Sequence, residues 1–204
     1  MVFPSVYDMT NESMTTVRKQ HFWEYFSGAT LNSRWTLTET GTSVMSDSVD
    51  GGFELKTGAT TSNQSRITFN DIRPFAFDGS VMICDYQRGV TGRIFIGLFE
   101  GGYIGSSVDE ALYRNRSSAT YTDVWTSDGS TETNTVTDIP VHENAETVKL
   151  QLSSSNCVVS VNGVIKVTKT TNLPLTKLQP MVLGATLQNA VHTTNIRYCE
   201  AYNT

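Results

Sequence analysis

The sequence predicts an all-β sandwich of about a dozen antiparallel strands. Three observations carry that expectation. From Phe22 onward, short runs of apolar and polar residues alternate and are split by Gly, Asn and Asp, the residues that favour turns. Asn162-Gly163 sits between two such runs and is the strongest short-range hairpin signal, because both residues tolerate the positive φ of a type I′ turn. Charged residues make up only 17% of the chain, and Ser, Thr and Asn carry its polarity instead. With Val, Ile, Tyr and Phe, such a composition suits a pleated, half-buried surface better than a helix.

In chain order, residues 1–20 read as an N-terminal arm, with a Pro, mixed polarity and no sustained period. Residues 21–204 read as one sandwich domain. FWEYF, RWTLTE, TSVMS, GFELKT and SRITFN are its first short strands, and SVMICDYQRG is a longer one. RIFIGLF is continuously apolar, as a strand covered on both faces would be. SVDEALYRN fits either one helical turn or an edge strand, whereas ATYTDVW alternates as a strand. In TVKLQLSSSNCVVSVNGVIKVTKT three strands follow one another, with Val159 and Val161 facing one way and Ser160 the other. KLQPMVLGATL and TTNIRYCEAYNT close the chain as strands.

The bulk chemistry excludes several functions. A net charge of -5 with scattered arginines does not supply the basic cluster that a nucleic-acid groove requires. No apolar run approaches the ~20 residues of a membrane span. The start MVFPSVYDMTNES lacks a basic region followed by an apolar core, so no signal peptide is expected and the protein is expected to fold in a reducing cytoplasm. Cys84, Cys157 and Cys199 are odd in number and contain no C-x-x-C pair, so buried free thiols are expected rather than a zinc site or a bridge.

FSGATLNSRWTLTET, followed much later by ETVKLQLSSSNCVVSVNGVIKVTKTTNLPL, resembles the concanavalin A-like jelly-roll superfamily, which includes laminin-G-like modules, lectins and bacterial β-glucanases. The likeness covers roughly residues 22–204 and implies an architecture, not a ligand. LNSRWTLT, SDSVDGGFELKT, ITFNDIRPF, KVTKTTNLP, KLQPMV and IRYCEAYNT also resemble sandwich domains in structural proteins of tailed bacteriophages and similar viruses.

The chemistry that the superfamily implies is not matched residue by residue. Its glucanases carry E-x-D-x-x-E, which places a nucleophile and a general acid beside the sugar, and this sequence lacks that motif. The pairs Asp47/Asp50, Asp109/Glu110, Asp123/Asp128 and Glu143/Glu146 read as solvated acids of turns and strand ends. His21, His142 and His192 neighbour neither a Gly-x-Ser-x-Gly elbow nor a Cys. FEGGYIGSS lacks the Lys of a phosphate loop. Asp47 and Asp50 offer too few oxygens for calcium, which takes six to eight. No catalytic residue, metal or cofactor is therefore expected. His21 is placed in an aromatic cluster where arm meets domain.

The expected function is a non-enzymatic virion structural protein that decorates or cements a capsid, or forms part of a fibre or tail. Its partners would be other virion proteins or further copies of itself. The arm residues Phe3, Val6, Tyr7 and Met9 would anchor it on a neighbour. The alternative is a carbohydrate-binding module in which Tyr103, Tyr113, Tyr121 and Trp125 offer flat rings to a glycan.

Overall fold

The computed structural model describes residues 21–28, 30–42, 44–48, 51–60, 63–70, 75–88, 93–101, 108–115, 120–141, 144–185 and 191–204. The anchors Phe3, Val6, Tyr7 and Met9, with Tyr103, His142 and Asp50, lie outside the described residues.

Two antiparallel sheets face each other, and no helix occurs among the described residues. The chain enters at β1 (His21–Tyr25) and continues through β2 (Trp35–Thr40), β3 (Val44–Asp47), β4 (Phe53–Lys56) and β5 (Gln64–Phe69). The long central strands are β6 (Ser80–Arg88), β7 (Arg93–Phe99), β8 (Asp109–Asn115), β9 (Tyr121–Asp128), β10 (Glu132–Pro140) and β11 (Ala145–Leu152). β12 (Cys157–Val161), β13 (Val164–Lys169), β14 (Gln179–Ala185) and β15 (Thr193–Asn203) complete it. Sheet A runs β13-β12-β11-β6-β15-β4-β3, with β1 added alongside β15, and sheet B runs β10-β9-β8-β7-β14-β5-β2.

The core lies between the sheets. Sheet A contributes Phe53, Met82, Tyr86, Val148, Leu150 and Ile196. Facing them from sheet B are Ile67, Ile94, Ile96, Leu98, Tyr113 and Val124. The alternation read in the sequence is what sorts these side chains inward. Cys84, Cys157 and Cys199 are free and buried, as small apolar residues would be. Burial pushes the Cys157 thiol up to about 12. At the predicted hairpin Asn162 and Gly163 both hold positive φ, 50° and 79°, which is the type I′ requirement.

Two elements differ from the sequence reading. SVDEALYRN contains neither a helical turn nor an edge strand: β8 is hydrogen-bonded on both sides, by β7 and β9, and all seven of its residues are buried. β10 carries no clear strand signal in the sequence, because its Thr-rich face is largely exposed and has few apolar residues.

Candidate functional site

Sheet B has a second buried layer on the side away from the core. In β7, Ile94, Ile96 and Leu98 point into the sandwich, so Phe95, Gly97 and Phe99 point out. Register carries this face across the sheet. Phe95, Gly97 and Phe99 stand opposite Arg114, Leu112 and Glu110 of β8 on one side, and opposite Leu183, Met181 and Gln179 of β14 on the other. Arg114, Leu112 and Glu110 in turn oppose Asp123, Trp125 and Ser127 of β9. The floor is apolar: Phe95, Phe99, Leu112, Met181, Leu183 and Ala185 form one cluster, with the partly exposed Trp125 packed against it. A glycine is needed at its centre, because a Cβ on Gly97 would come within 2.1 Å of the Ala111 carbonyl oxygen.

Charge is built into this floor. Arg114 donates from Nε to Asp123 Oδ1 and from Nη2 to Asp123 Oδ2, both at 2.7 Å, a fork-on-fork pair with both side chains under 10% exposed. The same guanidinium lies over Trp125, 4.0 Å from the ring centroid. Trp125 is therefore fixed in orientation, yet its indole Nε1 is buried without a hydrogen-bond partner among the described residues. Glu110 is fully buried on the same face. The Asp123 carboxylate is engaged at both oxygens by Arg114.

The β9–β10 hairpin holds the rim of this face. Asp128 Oδ1 accepts hydrogen bonds from the backbone N–H groups of Ser130 (3.0 Å) and Thr131 (2.8 Å) and from the Ser130 hydroxyl (2.8 Å). These donors hold the Asp128 carboxyl far below its ordinary range. Asp109 secures the neighbouring loop by accepting from the N–H groups of Leu175 (2.8 Å) and Thr176 (2.7 Å). Tyr121 shares the outward side of β9 with Trp125 and is 45% exposed.

Tyr121 and Trp125 are thus four residues apart on one face of β9, with Asp123 between them. Tyr113 is not with them. Its parity in β8 is opposite to that of Leu112, so its ring lies between the sheets, fully buried, with its hydroxyl donating to Glu146 Oε2 at 3.2 Å. Tyr86 donates to the same oxygen at 2.5 Å. Burial, with the Glu146 charge behind it, raises both phenols, so they remain protonated donors.

The acids read as solvated are corrected by these positions. Asp109, Glu110, Asp123 and Glu146 are all buried. The signal was present in DEALYRN, where Glu110, Leu112 and Arg114 alternate with Ala111 and Tyr113, but two-sided burial hid it among polar letters. His192 is also buried between the sheets. Its Nε2 sits 3.0 Å from Thr194 Oγ1, and burial beside Arg88 lowers its pKa to about 3.

No family model matches the chain, and no curated protein matches it by sequence. Solved structures do. A prokaryotic β-1,3-1,4-glucanase (lichenase) from a mouse hindgut metagenome superposes with a TM-score of 0.67 at 14% identity, over 90% of this chain and 99% of that one. An apo Crh5 transglycosylase gives 0.65 at 15% identity, over 90% and 84%. The metal-free carbohydrate recognition domain of Emp46p gives 0.58 at 9%, over 83% and 88%.

The fold that these likenesses show is the concanavalin A-like jelly-roll β-sandwich, as the sequence predicted. Its representatives here include two carbohydrate-active enzymes and one carbohydrate recognition domain, and no virion component is among them. The expectation of a non-enzymatic protein is corrected by that finding. The fold is enzyme-associated and lends the non-enzymatic reading no support. Among the described residues no helix is long and apolar enough to cross a membrane.

Proposed function

We propose that the protein recognises carbohydrate on the outward face of sheet B, with Trp125 and Tyr121 as the stacking rings. The observation that carries this is the state of Trp125: its ring is only partly buried, is held in place by the Arg114–Asp123 pair, and shares its face with the exposed Tyr121. A sugar offers such rings an apolar C–H face to stack on. The carbohydrate-related neighbours of the same fold support the reading. The outward residues of β10, Asn134 opposite Trp125 and Val136 opposite Asp123, would form the outer lip.

Calorimetric titration with mixed-linkage β-1,3-1,4-glucan oligosaccharides tests this. Saturable binding that weakens roughly tenfold or more in Trp125→Ala, with unfolding behaviour retained, is the expected result. Release of new reducing ends in the same samples would add catalysis to recognition.

The virion setting is a separate proposal carried by the quoted phage-like segments. Deleting residues 1–20, with Phe3, Val6, Tyr7 and Met9, should abolish co-sedimentation with particles while leaving residues 21–204 folded.

A further inference from the structure

The outer face of sheet A carries a ladder of rings that the site above does not use. β1 and β15 pair with His21 opposite Tyr202, Trp23 opposite Glu200 and Tyr25 opposite Tyr198. Directly opposed residues point to the same side. That side faces away from the core, since Phe22, Cys199 and Ala201 of the intervening positions lie in the interior. A β-bulge sets this phase: Ile196 and Cys199 are both interior, and Arg197 is the extra residue between them. Without the bulge, Tyr198, Glu200 and Tyr202 would turn into the core and the ladder would not exist.

The ladder is exposed and internally organised. Tyr25 is 72% exposed and Trp23 47%. Ring centroids lie 4.7 Å apart for Tyr25 and Tyr198, 5.2 Å for His21 and Trp23, and 5.5 Å for His21 and Tyr202. Alternate residues of β1 repeat every ~6.7 Å, so the rings form a flat row along the strand, not a cage. At its centre the Glu200 carboxylate is held at both oxygens, by His21 Nε2 at 2.8 Å and by the Tyr198 hydroxyl, which donates at 2.7 Å. Burial and the Glu200 charge raise the Tyr198 phenol, which keeps that proton in place. The neighbouring cation, Arg197, is engaged by Asp85 at 2.6 Å.

We propose that this ladder is a second binding surface, which takes a neutral polysaccharide chain along β1 and β15. Complementarity singles out this occupant. Ring faces are electron-rich and attract the C–H faces of pyranose rings. The fixed carboxylate accepts from sugar hydroxyls, and a flat row accommodates an extended chain. An anionic polysaccharide would meet Glu200 on a chain of net charge -5. A second copy docking here by two-fold symmetry would set this patch against itself and bring two Glu200 side chains together. The choice of a polysaccharide ligand rests on the carbohydrate reading of the fold, but the site itself is separate from Trp125.

The test uses the full chain carrying Trp125→Ala, titrated with a neutral β-glucan oligosaccharide and, in parallel, with an alginate oligosaccharide. The Trp125→Ala protein should still bind the neutral oligomer, and adding Trp23→Ala should weaken that binding roughly tenfold or more. Tyr25→Ala, at the most exposed ring, serves if the Trp23 variant does not fold. Three results would overturn the ladder: no residual binding in Trp125→Ala, equal binding of alginate, or residual binding unchanged by the ladder substitutions. Sedimentation showing a dimer dispersed by Trp23→Ala would overturn it too. If the sheet B site is the wrong reading and the ladder right, Trp125→Ala alone will change nothing and Trp23→Ala alone will remove all binding.

Discussion

The two outer faces of this sandwich are built on opposite principles. Sheet B buries its outward layer: the Arg114–Asp123 ion pair, Glu110 and an apolar floor are all nearly sealed, and Trp125 and Tyr121 reach outward from it. Sheet A leaves its outward rings in solvent, and its Arg197–Asp85 pair, equally short at 2.6 Å, keeps about a third of each side chain exposed. The same pair types therefore have different worth. A desolvated charge depends on its partner, whereas a solvated one has water as the alternative. The difference also explains why one face can hold a ring rigidly while the other offers a broad platform.

The contrast can be broken at the ion pairs. Asp123→Ala strands the Arg114 guanidinium in a buried site and should cost about 3–5 kcal/mol in urea unfolding, with Trp125 fluorescence altered as the ring loses its clamp. Losing less than about 1 kcal/mol would show that the sheet B face is wetter than its burial implies.

The interior shared by both faces adds a pH term. Unfolded, His192 takes up a proton near its ordinary 6.5, while folded it does so only near 3. Between those values the unfolded chain holds one more proton, so stability is complete above about pH 6.5 and falls as pH drops toward 3. The slope contributed by this residue approaches about 1.4 kcal/mol per pH unit, and His192→Gln should flatten it in pH-dependent denaturation curves. Tyr113→Phe, which removes one of the two phenol donors to Glu146, should cost about 1–2 kcal/mol by the same measurement. The smallest effect belongs to sheet A: Asp85→Ala should change stability by less than about 1 kcal/mol, and less still in high salt.

The architecture was legible in the sequence wherever one face is buried and the other wet. β11 and β12 alternate cleanly, and the Asn162-Gly163 turn is written in two residues. Two-sided burial was legible in β7, where both layers are apolar, and β9 read as a strand; legibility failed in β8, where the second buried layer carries Glu110 and Arg114 and a doubly covered strand reads as a polar one. It failed again at Arg197. A bulge shifts parity without leaving a mark in composition, and it alone decides that Tyr198 and Tyr202 point to solvent. Of the aromatic candidates, Tyr121 and Trp125 share the outward face because their spacing is even, Tyr113 lies in the core because it shares the inward parity of Ala111, and Tyr103 lies outside the described residues.

The central claim is that Trp125, clamped by Arg114 on the outward face of sheet B, is there to meet a sugar. Calorimetry of the intact chain against a mixed-linkage β-1,3-1,4-glucan oligosaccharide, repeated with Trp125→Ala, tests it most directly. Saturable heat that falls roughly tenfold or more in affinity in the variant is the predicted result. Identical titrations of the two proteins, or no heat from either, would contradict it.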